Sequence, residues 1–422
     1  MDSQTFQALT PETLPARLGG NEVLKAKIGP DASRWSVREV GDGNLNLVFI
    51  VEGTSGAAVV KQALPYVRLV GESWPLPLKR SFFEYHALTR QAARDPGMVP
   101  EIYHFDGTQA IIVMEYLTPH VILRRALIEG RQLPKIGRDL GLFLARTLFR
   151  GSDLSMEARA RKEDLALFAD NVELCDITEN LVFSDPYFEA ELNRHTPELD
   201  DIVADLRSDR DMKVTAQIMK HKFAASAETL LHGDLHTGSV MVTAENTRVI
   251  DPEFAFYGPM AFDVGMLLAN FWMSYFSQSG HETAKGERDG MRDYLLDVIE
   301  EIWATFRTEF AHLWRTERKG ILYQASLFEK RGDPLASEQA LNGVIADIWT
   351  DMLGFAGVEM HRRILGLAHN ADFETIADTG RRAACERKAL KLGRHLAVNR
   401  RSIHSLADIR ATAELLEKEA LS

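Results

Sequence analysis

The stretch Leu230 to Pro259, LLHGDLHTGSVMVTAENTRVIDPEFAFYGP, constrains the fold more than any other part of the chain. Two short apolar runs, Val240-Met241-Val242 and Val249-Ile250, flank a polar turn at Glu245-Asn246, a pattern that predicts a β-hairpin. An acid stands at each mouth: Asp234 ahead of the first strand and Asp251 just after the second, with Glu253 two residues further on. If the chain stays extended from 251 to 253, both carboxylates face one side, because the strand period is two. Carboxylates fixed by rigid strands around one gap suit a reaction that needs one base and one divalent metal. One such acid alone reads as a solvated loop carboxylate; the ordered set is what points to chemistry.

At 422 residues the chain exceeds a single hydrophobic core, so two lobes are expected. A net charge of −12 argues against a nucleic-acid surface, but not against an anionic nucleotide, which needs only a local basic cluster and a metal. Cys175 and Cys385 lie far apart with no His or Cys at metal-binding spacing, as expected of reduced structural thiols. The opening MDSQTFQALTPETLPARLGG lacks the basic start and apolar run of a signal peptide. The most apolar stretch, Met260 to Phe276, contains Asp263 and Asn270 and is too short to span a bilayer. The expectation is a cytoplasmic protein with neither a membrane nor a nucleic-acid partner.

Thr10-Pro11-Glu12 predicts the start of one short helix, and Asn21 the cap of a second over 22–27. Trp35 to Ala63 reads as three antiparallel strands, Ser36–Val40, Leu47–Val51 and Ala57–Gln62. Between the first two lies Gly41-Asp42-Gly43-Asn44-Leu45-Asn46, which is either a plain hairpin or a loop whose amides approach phosphates. Lys61 on the next strand favours the second reading, since an ammonium there pairs with nucleotide phosphates. A helix is predicted from Lys79 to Arg94, with Glu84 in its first half; as a common surface helix former this acid reads as exposed, while a resemblance to the kinase fold would imply that it pairs with Lys61.

Strands over Ile102–Phe105 and Ala110–Met114 run into Glu115-Tyr116-Leu117 and then Pro119, a break that suits a hinge between lobes. Helical spacing dominates from Val121 to Thr229, clearest over Ile136–Phe149 and Glu189–Ser208. Ala261 to Met273 predicts an apolar helix with Asp263 as candidate N-cap. Further helices are expected over Met291–Arg318, Ile321–Lys330 and Thr379–Ala420.

His232-Gly233-Asp234 stands where protein kinases carry His-Arg-Asp. HGDLHTGS followed by DPEFAFYGP, GDGNLN followed by VVKQA, the segment Val70–Pro75 and the paired arginines of MHRRILGLAH together resemble the 5-methylthioribose kinases. These belong to the aminoglycoside phosphotransferase-like small-molecule kinases of the protein kinase superfold. Five residues after Asp234, where protein kinases place a metal-binding Asn, stands Ser239, a poor ligand for a hard dication. The pair Asp251-x-Glu253 is similar to what methylthioribose kinases carry in place of Asp-Phe-Gly. The resemblance covers Gly41 to about Ile376.

The resemblance implies an α+β, bilobal protein-kinase-like fold. A small antiparallel β lobe with N-terminal helices would span 1–117, and a mainly helical catalytic lobe 118–422. It implies that Asp234 binds the sugar and deprotonates its hydroxyl, and that Asp251 and Glu253 hold Mg²⁺. It places ATP against Asn44, Lys61, the backbone of Glu115, Tyr116 and Leu117, and Asp251-Pro252-Glu253. It implies that Asp263 braces the catalytic loop, and that Arg362 or Arg363 offsets charge at the sugar-transfer site, without choosing between them. Trp74 either covers the sugar or packs in its loop. The implied reaction moves the γ-phosphoryl group of ATP to the anomeric hydroxyl of methylthioribose, a small-molecule sugar substrate, in methionine salvage, by a homodimer. Two other readings stand beside it: a kinase of another small alcohol of aminoglycoside, choline or homoserine type, and a non-catalytic pseudokinase. The twin arginines disfavour a cationic acceptor. The joint presence of Lys61, Asp234, Asp251 and Glu253 disfavours the pseudokinase.

Overall fold

The computed structural model describes residues 6–41, 45–67 and 71–419. They pack as two units. The first comprises Met1–His120, Asn171–Leu174 and Arg248–Ala255; the second comprises Val121–Asp170, Cys175–Thr247 and Phe256–Ser422.

The first unit is built on a five-stranded antiparallel sheet, β1 (Ser36–Glu39), β2 (Asn46–Glu52), β3 (Ala57–Ala63), β4 (Ile102–Asp106) and β5 (Ile111–Glu115), in the order β1-β2-β3-β5-β4. Alternate residues Phe49, Val51, Ala58, Val60, Ile111 and Val113 bury one face of it. The helices Leu14–Leu18 and Glu22–Ile28 cover that face with Leu14, Leu18, Leu24 and Ile28. The Asn21 side chain caps the second helix by accepting from the amides of Val23 and Leu24, as its position in the sequence predicts. Lys61 is one residue out of phase with Val60 and so lies on the opposite face, where the helix Arg80–Arg94 packs.

The second unit is helical around Met260–Ser277, every residue of which is buried. The helix Pro334–Leu365 packs along it and also along Thr379–Asn399. At the second contact a Cβ on Gly357 would fall 2.3 Å from the Gly393 carbonyl oxygen, so only glycine lets these backbones approach so closely. This packing fixes the last turn of Pro334–Leu365, which carries Arg362 and Arg363. Short antiparallel pairs hold the ends of the catalytic stretch: Met241 is paired with Ile122, and Tyr257 with Leu230. The turn after Val240–Val242 closes with the Thr243 amide donating to the Asn246 carbonyl at 2.9 Å.

Four expectations need correction. Thr379–Ala420 is not one helix: its described residues form Thr379–Asn399 and Leu406–Lys418 with a break between them. Glu189–Ser208 is not one helix: Pro197 opens a 3-10 turn, and the α-helix starts only at Asp200. Ile321–Lys330 forms turns that end in the short 3-10 segment Glu329–Arg331. Asp263 is not an N-cap; the helix begins at Met260 after Pro259, which frees the Asp263 carboxylate for another task. Among the described residues no helix is long and apolar enough to cross a membrane.

Candidate active site

In the first unit, Lys61 gathers carboxylates. Its ammonium lies 2.8 Å from Glu84 and is ion-paired directly with Asp251. Glu84 is only 2% exposed, so the buried partner of Lys61, not a surface acid, is what the structure shows. Asp251 sits at φ +70°, a left-handed backbone that costs a non-glycine residue on the order of 1–2 kcal/mol. Glu253 is buried, accepts from Asn46 Nδ2 at 3.1 Å and lies 3.4 Å from Arg80 Nε. The fully buried Arg80 also donates through Nη2 to the Leu45 carbonyl at 2.7 Å and to Asn46 Oδ1 at 3.0 Å. Asn171 Nδ2 pins the following turn by donating to the carbonyls of Glu253 (3.0 Å) and Ala255 (2.9 Å).

One carboxylate oxygen from each of Glu84, Asp251 and Glu253 lies within 4.8 Å of the other two. Such a set of hard oxygens fits Mg²⁺. Burial works against the Lys61 ammonium, yet Asp251, Glu84 and Glu253 outweigh it and hold the lysine firmly protonated. The same burial pushes the Glu253 carboxyl up, with Lys61 opposing. Three acids thus face two cations, Lys61 and Arg80, and the cluster has room for further positive charge.

Of the residues expected to touch nucleotide, Asn44 lies outside the described residues. Glu115 spends its amide on the Glu101 carbonyl at 2.8 Å, and its carboxylate accepts from the Glu101 amide at 3.2 Å. The Tyr116 hydroxyl accepts from Arg38 at 3.3 Å, and Leu117 is buried. Pro252 is buried, and its carbonyl accepts from the Ala255 amide at 3.2 Å, closing the turn that follows Asp251.

In the second unit the loop His232-Gly233-Asp234 turns sharply. Gly233 takes φ +85°, which explains a glycine between the histidine and the aspartate. The Asp263 carboxylate accepts from the amides of His232 (2.7 Å) and Gly233 (3.1 Å), the brace that the resemblance implies. Ser239 Oγ donates to the Asp234 carbonyl at 3.0 Å, so this serine closes the loop.

Asp234 Oδ1 accepts from Arg363 Nη2 at 3.0 Å, with Arg362 Nη1 at 4.0 Å and His236 Nε2 at 3.4 Å from Oδ2. Burial raises the Asp234 carboxyl, but His236, Arg363 and Arg362 together take it well below the usual carboxylate range. His236 is itself pushed down to about 4, by burial and by Arg363 and Arg124, so it is neutral at pH 7. The two arginines therefore carry the ionisation of Asp234. The Gly238 amide donates to His236 Nδ1 at 2.9 Å, which leaves the ring proton on Nε2, facing Asp234.

The model of the phosphotransferase enzyme family matches residues 36–294. A methylthioribose kinase of Escherichia coli O45:K1 is 44% identical over 97% of this chain and 98% of its own length. Methylthioribose kinase 1 of Oryza sativa subsp. japonica is 41% identical over 96% and 95%. A methylthioribose kinase of Geobacillus kaustophilus is 42% identical over 90% and 91%. The chain belongs to the methylthioribose kinase family. It is a small-molecule phosphotransferase with the kinase-like α+β fold.

Sequence reasoning on this methylthioribose kinase family member missed several residues around both clusters. Arg80, Asn46 and Asn171 hold Glu253 and its turn; Asn46 closes the GDGNLN stretch without being singled out in it, and nothing in the local sequence of Arg80 or Asn171 marks them. Arg124 donates to Thr237 Oγ1 at 3.1 Å and to Asn270 Oδ1 at 2.8 Å, and lies 3.2 Å from Asp372. Glu359 did leave a signal: it is the one acid in the apolar run GFAGVEMHRRIL, three and four residues before the arginines.

Proposed function

We propose that the chain transfers the γ-phosphoryl group of ATP to the anomeric hydroxyl of S-methyl-5-thioribose, giving the 1-phosphate in methionine salvage. The observation that carries this reading is a carboxylate, Asp234, kept ionised by Arg363 on a loop braced by Asp263. Asp234 Oδ1 is held by the arginine, whereas Oδ2 has only the longer contact to His236 Nε2 at 3.4 Å, so Oδ2 takes the proton of the sugar hydroxyl. As that proton leaves, the sugar oxygen bonds to the γ-phosphorus and the bond from phosphorus to the ADP oxygen breaks.

Asp251 and Glu253, with Glu84 beside them, would hold Mg²⁺, which draws charge from the nucleotide phosphates when bound. Lys61 steadies the phosphates, and Asn44 contributes from the loop before β2. The backbone of Glu115, Tyr116 and Leu117 meets the adenine edge, without the Glu115 amide, which already donates to Glu101. Arg362 and Arg363 offset charge on the transferred group.

A choline or aminoglycoside kinase is disfavoured by Arg124, Arg362 and Arg363 around the base. Coupled ADP release with methylthioribose, ribose, choline and an aminoglycoside tests the assignment, with ³¹P NMR locating the phosphate. Turnover with methylthioribose to a 1-phosphate is expected. Preferred turnover with any other acceptor, or none with methylthioribose, sinks the reading.

A further inference from the structure

The twin arginines are chemically alike but differently bound. Arg363 is held at both ends: Nε donates to Glu359 Oε1 at 2.6 Å, and Nη2 donates to Asp234 Oδ1 at 3.0 Å. Arg362 reaches the same Glu359 only through Nη1, at 3.4 and 3.5 Å, and stands 4.0 Å from Asp234. Its Nε is buried and has no hydrogen-bond partner among the described residues.

Glu359 has no exposed surface and is also approached by Asn270 Nδ2 at 3.4 Å. A fully buried carboxylate is costly unless paired, so its place on the helix face of both arginines is a fixed feature of the site. The charge states follow the same division. Burial disfavours both guanidiniums, yet Glu359 and Asp234 together more than restore Arg363. They do not restore Arg362, which is further opposed by the like charge of Arg363.

We propose that Glu359 is a positioning residue that commits Arg363 to orienting Asp234 and leaves Arg362 as the arginine that meets the transferred phosphoryl group. This rests on Asp234 acting as the base, and it adds a residue and a division of labour to that reading. Arg363 is held through two of its three nitrogens, so it cannot swing to follow a ligand without releasing the base or the buried acid. Arg362 keeps an unsatisfied N–H and a weak, long contact, which a phosphoryl oxygen can replace at little loss.

A double-mutant cycle on the full chain tests this, using whichever sugar acceptor the wild type turns over, so that a wrong substrate assignment does not decide it. Glu359→Gln should lower kcat about tenfold to a hundredfold, as loss of a second-layer carboxylate does elsewhere. Combined with Arg363→Lys it should cost no more than the worse single change, whereas with Arg362→Lys the losses should multiply. Arg363→Lys should also move the acid limb of the kcat/KM profile upward, because Asp234 loses its closest donor, while Arg362→Lys lowers the rate at every pH without moving the limb. Glu359→Asp, which keeps the charge, should recover part of the activity and guards against misfolding of the neutral variant, with thermal melts as the control. Multiplicative loss with Arg363→Lys, or non-additivity with Arg362→Lys instead, overturns the proposal, as does a Glu359→Gln enzyme within twofold of wild type.

Discussion

Both units bring buried carboxylates against buried cations, but the two balances differ. In the first unit, among the described residues, Glu84, Asp251 and Glu253 meet two cations, Lys61 and Arg80. In the second, Asp234, Glu359 and Asp372 meet Arg124, Arg362 and Arg363, with His236 neutral. The first cluster has more acids than cations, and burial pushes Glu84 and Glu253 up; the second has an arginine for each acid and, although burial pushes Asp372 up, keeps its base ionised. A carboxylate meant for a metal gains from being under-compensated, because the dication supplies what is lacking. A carboxylate meant to accept a proton from a hydroxyl must be charged beforehand, and a full set of fixed cations achieves that without binding metal.

The largest way to break this contrast is at Asp234. Asp234→Ala should lower kcat by roughly 10²- to 10⁴-fold while Mg²⁺–nucleotide affinity, measured by calorimetry, stays unchanged. Loss of nucleotide binding in that variant would erase the distinction between the clusters. Asp251→Asn should do the reverse, weakening Mg²⁺–nucleotide binding by about 10²- to 10³-fold. Without Mg²⁺ the same variant should bind nucleotide no worse than wild type, because one repelling negative charge has gone. Asn46→Ala tests the support of Glu253: the Mg²⁺ concentration at half-maximal rate should rise about 10- to 100-fold with the sugar KM unmoved.

The contrast was half legible in the sequence. The five strands of the main sheet of the first unit fall within a residue or two of expectation, since β2 and β3 are apolar, β-branched runs bounded by polar turns, whereas the short pair Tyr66–Val67 and Gly71–Pro75 is not foreseen. Asp234, Asp251 and Glu253 stood out because the hairpin between them is local. The compensating charges did not. Arg80 reaches Glu253 from a helix more than a hundred residues earlier, and Arg124 and Asn270 meet only after the chain has closed on itself. Glu84 was legible as a partner of Lys61 and not as a third acid beside Asp251 and Glu253, because its nearness to them exists only in three dimensions. The misread helices have different causes: Pro197 interrupts the hydrogen-bond ladder within Glu189–Ser208, while over Ile321–Lys330 the apolar residues Ile321, Leu322 and Leu327 are exposed and give a helix no face to bury.

The smallest effect separates the clusters by sign. Asp234 has a folded-state carboxyl below its ordinary value of 3.8. Its pairing therefore stabilises the fold above that ordinary value and is lost as pH falls through the lowered one. Glu253 has a folded-state carboxyl above its ordinary 4.5, raised chiefly by burial. In metal-free protein its ionisation therefore costs stability, and the cost grows as pH climbs above 4.5 until the raised folded value is passed. Removing each charge without removing the side chain should then move the melting temperature in opposite directions at pH 7.5. Asp234→Asn should melt lower than wild type, and Glu253→Gln higher, each by about 1–3 °C for a change near 1 kcal/mol. Added Mg²⁺–nucleotide should reverse the second shift, since the wild-type carboxylate then has a ligand to stabilise. Melting shifts of the same sign for both variants in the absence of metal would mean that the two clusters do not differ in charge balance.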